Sequence, residues 1–264
     1  MKRGYNKELT PYEDVNEALA QLSGGLTKLL GDGLIGLYLT GSLTYGDFDL
    51  GSSDIDFLAV IRRELSDEQL RAVGALHKRI GRNVPTWDKR LEGSYVTKDM
   101  ISTKRRPDEK RPYINGGKIN QYQYGNEWII NLYALQECGI AIIGPEPRQI
   151  FPTVDINDVR EASKRDLIED WQPKLDDPNA FEIEGYDSNH LKAYAVLTMC
   201  RILHRAKNND FASKRVASAW VEKTYGNHWS DLVNMAEGWQ HGKAMGSDKE
   251  VKDFIKFTQE QIGA

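Results

Sequence analysis

The chain has 264 residues, 40% of them hydrophobic and 28% charged, enough for one large packed core or two modest ones. Lysine and arginine number 35 against 39 acids, for a net charge of −4, so the basic excess of a general nucleic-acid binder is missing. Two cysteines, Cys138 and Cys200, exclude a disulfide scaffold, and the start MKRGYNKELT has no apolar signal region. No apolar run approaches the roughly 18 residues of a membrane span, so the chain reads as soluble and cytoplasmic, with neither nucleic acid nor membrane as partner.

In chain order, Thr10-Pro11-Tyr12-Glu13 has the pattern of a capping box with proline at the first helical position. Val15, Leu19, Leu22, Leu26 and Leu29 follow at helical spacing until Gly31-Asp32-Gly33. LIGLYLT (34–40) has the length of a buried strand. SDIDFLAVI (53–61) predicts a second, with Asp54 and Asp56 on one face and Ile55, Phe57 and Ala59 on the other. Ser66 and Gln69 open a helix whose stripe is Leu70, Val73, Leu76 and Ile80, and a third strand is expected at 91–97. Residues 98–125 are polar and without periodicity, which reads as a long loop, functional or disordered. Asn126 caps a helix to about Glu137, and IAII (140–143) is a strand closed by Gly144-Pro145. Beyond about 156 every pattern is helical: 157–170, a nearly all-apolar 191–206, one opening at Ser213, and 248–262. This order predicts an α+β protein. A mixed-sheet α/β domain would span 1–155 and an all-helical domain 156–264.

The segment with chemistry in it is Gly41-Ser42, eleven intervening residues, then Asp54-Ile55-Asp56. Carboxylates at i and i+2 on a strand point the same way, and like charges held so close call for a compensating cation. Hard oxygen donors suit Mg²⁺, which one or two carboxylates hold together with substrate phosphates. Gly41 lets a phosphate approach the backbone, and the following amides with the Ser42 hydroxyl can donate to it. Glu92, near the start of the third strand, is the candidate third ligand or general base, with Asp88 and Asp99 as neighbouring acids.

Gly-Ser, a spacer and Asp-x-Asp resemble the signature of the polymerase-β-type nucleotidyltransferase superfamily. The element order, with ALQECGIAIIGPEPRQIF (134–151) and VLTMCRILHRAKNNDFASKRVASAWV (196–221), is similar to the aminoglycoside nucleotidyltransferases, nearest the streptomycin/spectinomycin 3''(9)-adenylyltransferases. The resemblance covers about residues 13–240. It implies an enzyme that moves AMP from ATP to a hydroxyl of an aminoglycoside-type antibiotic and releases pyrophosphate. By position it implies that Gly41, Ser42 and Ser53 bind the triphosphate, and that Asp54, Asp56 and Glu92 hold Mg²⁺ with Glu92 as base. Lys214 would reach the nucleotide from the helical domain; a cation at a helix N-terminus opposes the dipole and asks for such a reason. Asp187 and Glu127 would face the acceptor.

The chain departs from that family at Leu191 and Tyr194, where the family has an acid and an amide, and its Gly-Glu-Trp segment has no clear match near YINGG (113–117). Another small-molecule or protein hydroxyl therefore stays open as acceptor, as does a catalytically silent, antitoxin-like binding module. Residues 172–190 hold Asp176, Asp177, Glu182, Glu184 and Asp187 against Lys174 alone. That favours a cationic small-molecule acceptor bound in a cleft between the domains. The basic run Lys104-Arg105-Arg106, with Lys110 and Arg111 in the same loop, is a solvated face or a lid over the nucleotide. The histidines, His241 among them, have no metal-ligand spacing, and a monomer is expected.

Overall fold

The computed structural model of the protein describes residues 9–184, 186–240 and 242–263; the first eight residues and His241 lie outside these. The chain divides into two compact units, Met1–Tyr124 with Asn131–Thr153, and Gly125–Ile130 with Val154–Ala264. Among the described residues no helix is long and apolar enough to cross a membrane.

The first unit is built on a six-stranded sheet. Its strands are β1 (Leu34–Thr40), β2 (Ile55–Ile61), β3 (Leu91–Thr97), β4 (Lys110–Asn115), β5 (Lys118–Gln123) and β6 (Ile140–Ile143), in the order β5-β4-β3-β2-β1-β6. β2 and β3 run parallel; the other neighbours are antiparallel. Alternation along β2 and β3 sorts the faces. Ile55, Phe57, Ala59 and Ile61 join Leu91 and Tyr95 in the core, against Val15, Leu19, Leu22 and Leu26 of α1 (Glu13–Leu30) and Val73, Leu76 and Ile80 of α2 (Asp67–Asn83). Each fully buried leucine contributes about 1.5–3 kcal/mol. The opposite face carries Asp56, Leu58 and Val60 beside Glu92, Ser94 and Val96.

The α2 start has its expected capping box, with Ser66 accepting from the Gln69 amide. The α1 start does not. Its N-cap is Tyr12, without a side-chain cap, because Thr10 is tied instead to Asn16, whose Oδ1 accepts from the Thr10 amide at 3.0 Å. The stretch expected as a loop, 98–125, contains the β4–β5 hairpin. Gly116 and Gly117, at φ +56° and +75°, make its two-residue turn, as a primed hairpin turn requires. Two further helices follow in the chain, α3 (Glu127–Cys138) and the short α4 (Pro147–Ile150).

The second unit packs α5 (Ile156–Asp166), α7 (Lys214–Glu237) and α8 (Asp248–Ile262) around α6 (Ser188–Asn208). The apolar run of α6 buries Ala195, Val196, Met199, Cys200, Ile202 and Leu203 with Val221, Val233, Val251, Phe254 and Ile255. The helix expected over 157–170 ends its regular part at Asp166. A π-type turn, Leu167–Trp171, and a 3₁₀ turn with Pro173 in its first half replace the rest.

Candidate active site

β1 delivers the chain to Gly41, whose φ of +71° lies in the left-handed region. The register Thr40↔Asp56 sets this turn against β2. A β-carbon on residue 41 would stand 2.0 Å from Asp56 Oδ2, so both the conformation and the close approach require glycine. Ser42 follows in a 3₁₀ turn, Gly41–Leu43, closed by the amide and hydroxyl of Thr44 donating to the Gly41 carbonyl at 2.9 and 2.8 Å.

The loop before β2 folds on itself. Ser53 Oγ accepts from the Asp49 amide at 3.0 Å, and Ser52 Oγ donates to Asp49 Oδ1 at 2.9 Å, which with the Gly51 and Ser52 amides holds the Asp49 carboxyl below its usual range. Arg90 then clamps the loop. Its guanidinium donates to the carbonyls of Leu50, at 3.0 Å, and Ser53, lies 3.6 Å from Asp54 Oδ1, and rests 4.7 Å from the centroid of the Trp87 ring. Since Arg90 also accepts from the Ile55 amide at 2.7 Å, β2 begins at Ile55 and not at Ser53. Asp54 stands at the strand's threshold, and the cation that the Asp-x-Asp pair calls for is in part this arginine.

Asp56 and Glu92 are direct partners in the parallel ladder, so both carboxylates leave the same face of the sheet. Tyr113 donates to Glu92 Oε2 at 3.2 Å and accepts from Asn115 Nδ2 at 3.4 Å. Burial, then the charge of Glu92, and further the charge of Asp56, push the Tyr113 phenol well above its ordinary range. Beside it Arg111 is buried, its guanidinium donating to Ser94 Oγ at 3.2 Å and to the Tyr122 carbonyl at 2.7 Å, and lying 3.5 Å from the Tyr124 ring centroid. On the core face, His77 Nε2 and the Tyr95 hydroxyl share a 2.7 Å hydrogen bond, and burial depresses the imidazole to about 4.

Hard carboxylate oxygens from adjacent strands, with a glycine in place of any bulk against Asp56, fit Mg²⁺. Among the described residues no three His, Cys, Asp or Glu side chains close around an ion by themselves.

The other sequence candidates lie in the second unit. Lys214 is the first residue of α7, after Ser213, whose hydroxyl caps the Val216 amide at 3.2 Å. Asp187 is the N-cap of α6 and accepts from the Asn189 amide at 2.9 Å. Glu127 opens α3 and accepts from the Gly125 amide at 2.9 Å. It lies in an acid-rich neighbourhood: Asn126 Nδ2 donates to Glu169 Oε2 at 2.9 Å and to Asp170 Oδ2 at 3.4 Å. Burial and then Asp170 raise the Asp166 carboxyl far above the carboxylate range, the Trp171 indole donating to it opposes this, and Glu127 adds to the rise. Sequence reasoning missed Arg90 and Tyr113, and it placed Arg111 on a solvated face or lid, whereas Arg111 is buried in β4. The Asn115-Gly116-Gly117 turn was the available signal for the last two, because it places them on a strand facing Glu92.

With this geometry in hand, residues 149–261 match the family described as the C-terminal domain of aminoglycoside adenylyltransferase. Over 249 residues the chain is 24% identical to a spectinomycin 9-adenylyltransferase of Staphylococcus aureus, covering 89% of this chain and 90% of that protein. The fold matches the crystal structure of a spectinomycin adenyltransferase from Enterococcus faecialis, described with ATP and spectinomycin. The TM-score is 0.70 at 20% identity, over 94% of this chain and 99% of that one. The stretch similar to that family thus follows an N-terminal part built on a mixed six-stranded sheet, and the fold of the whole matches that structure.

Proposed function

We propose that the protein is a Mg²⁺-dependent adenylyltransferase that moves AMP from ATP to a hydroxyl of an aminoglycoside-type antibiotic, of the spectinomycin or streptomycin kind, releasing pyrophosphate. The observation that carries the reading is the pairing of Asp56 with Glu92 across the parallel ladder, with Gly41 against Asp56. The match of the C-terminal domain and the activity named for both relatives support the choice of reaction. Mg²⁺ held by Asp54, Asp56 and Glu92 would neutralise triphosphate charge. The amides after Gly41, with the Ser42 and Ser53 hydroxyls, hold the phosphates, and Lys214 adds a positive charge to them. Glu92 takes the acceptor hydroxyl's proton as that oxygen bonds to the α-phosphorus. The bond to the bridging oxygen breaks, and pyrophosphate leaves with its electron pair. Asp187 and Glu127 attract the cationic acceptor. The proposed setting is a monomer in the cytoplasm, where ATP is available.

The test follows α-labelled ATP and pyrophosphate with Mg²⁺ and a panel of spectinomycin, streptomycin, other aminoglycosides and lincosamides. AMP should appear on a member of the first three groups, and Asp56→Asn should abolish the transfer while leaving the protein folded. No transfer to any acceptor, or near-normal turnover by Asp56→Asn, overturns the reading.

A further inference from the structure

A glutamate used as a base must present a chosen oxygen to the proton it takes, yet its side chain has three rotatable bonds and turns freely unless something holds it. In this protein a donor for that purpose stands one strand away. The register Ser94↔Tyr113 places Tyr113 on the same face as Glu92, and its hydroxyl reaches back to Glu92 Oε2 at 3.2 Å. The phenol is itself fixed from several sides. Its ring meets Tyr122 edge-on at 6.0 Å, the buried Arg111 guanidinium lies 5.3 Å from its centroid, and Asn115 Nδ2 donates to its oxygen at 3.4 Å. Arg111 is in turn pinned to Ser94 Oγ and the Tyr122 carbonyl. The position of the hydroxyl is therefore set by the β3–β4–β5 sheet and not by the glutamate it touches.

We propose that Tyr113 is a positioning residue for adenylyl transfer: its hydroxyl holds the Glu92 carboxylate by Oε2 and so turns the other oxygen to the acceptor's proton. The proposal rests on the reading that Glu92 is the base. Tyr113 makes no bond to substrate in this account. It acts through Glu92 alone, and its effect should vanish when Glu92 can no longer take a proton.

Tyr113→Phe keeps the ring and removes the hydroxyl. Steady-state kinetics with ATP and the best acceptor should give a kcat lower by about tenfold, the scale of one lost hydrogen bond to a charged group, with both KM values within about twofold of wild type. In a Glu92→Gln background the same substitution should cause no further loss, as a double-mutant cycle reads for residues acting as a unit. Thermal unfolding and calorimetric binding of ATP should match the wild type, a readout apart from turnover. An unchanged kcat, or an equal extra loss in the Glu92→Gln background, overturns the proposal, the second outcome assigning Tyr113 a merely structural role. If Tyr113→Phe fails to fold, Asn115→Ala serves in its place. It frees the phenol from its other side, and kcat should fall two- to threefold only when Glu92 is present; no fall overturns the proposal. Wild-type protein without AMP transfer removes the function and the proposal together. An active wild type that Glu92→Gln silences and Tyr113→Phe leaves intact removes the proposal alone.

Discussion

Gly41→Ala separates the two demands the structure makes at that turn. Alanine in the left-handed region costs about 1–2 kcal/mol. Its β-carbon would also stand 2.0 Å from Asp56 Oδ2, 2.7 Å from Cγ and 2.9 Å from Cβ. The carboxylate can turn away, at roughly 1 kcal/mol for leaving its rotamer, but Asp56 Cβ is fixed to β2, so the turn must move as well. A sum of about 2.5 kcal/mol corresponds to a Tm lower by about 5–10 °C. Gly46→Ala is the control, since Gly46 has φ +76° and nothing within 4 Å of the added carbon. It should lose only the conformational part, about 3–6 °C, and keep its turnover. Gly41→Ala should lose at least 10²-fold in AMP transfer, because a carboxylate displaced by about 1 Å no longer serves the reacting phosphate. Differential scanning calorimetry and the labelled-ATP assay on both variants decide it. A Gly41→Ala enzyme that turns over like wild type, or a Gly46→Ala protein that loses as much Tm and as much activity, would refute the argument from close approach.

Asp187→Asn should leave Tm unchanged, since asparagine caps α6 as well as aspartate does, while the acceptor KM rises about tenfold, equivalent to about 1.4 kcal/mol, and the ATP KM stays put. High salt should weaken acceptor binding in the wild type and much less in this variant, and equal salt dependence of the two would remove Asp187 from the acceptor site. The buried His77 is held neutral down to about pH 4, whereas an unfolded chain takes up the proton near 6.5. The unfolded state therefore gains the proton first as pH falls, and stability declines between those values by up to about 3 kcal/mol. Urea midpoints from pH 7 to 4 should fall less steeply for His77→Phe, which keeps a ring beside Phe57; equal slopes would contradict the assignment.

The sequence was most legible where one face of an element is buried. β1, β3 and β6 and the helices α2, α6 and α8 follow from apolar runs and spacing, with an end signal in Ser66 and Gln69 at the start of α2. It was least legible at β4 and β5. β5 reads KINQYQ and is exposed along nearly its whole length, so no core imposes the alternation of two by which a strand is recognised. Pro112 in β4 further argues against a strand by composition alone. The site divides in the same way. Asp54, Asp56, Gly41 and Glu92 declare themselves through spacing on apolar strands. Arg90 and Tyr113 act through contacts between segments far apart in the chain, the first with Asp54 and the second with Glu92, and no local pattern marks such pairs.

The crossover from β2 through α2 to β3 has a consequence for how relatives of this protein can be recognised. Asp56 and Glu92 are neighbours because two parallel strands share a rung, and a parallel pair leaves the length of its connection free. Whole helical turns could be added to or removed from α2, or the 3₁₀ turn at Pro85–Trp87 could be lengthened, without moving either carboxylate. Gly41 is set against Asp56 in the same manner, by the rung Thr40↔Asp56 of the antiparallel β1–β2 pair, and what that contact fixes is the residue type at 41. A search pattern for this arrangement should therefore tie each residue to its place on a strand, the glycine just past the end of β1 and the third acid at the second position of the next parallel strand, and let the connections float.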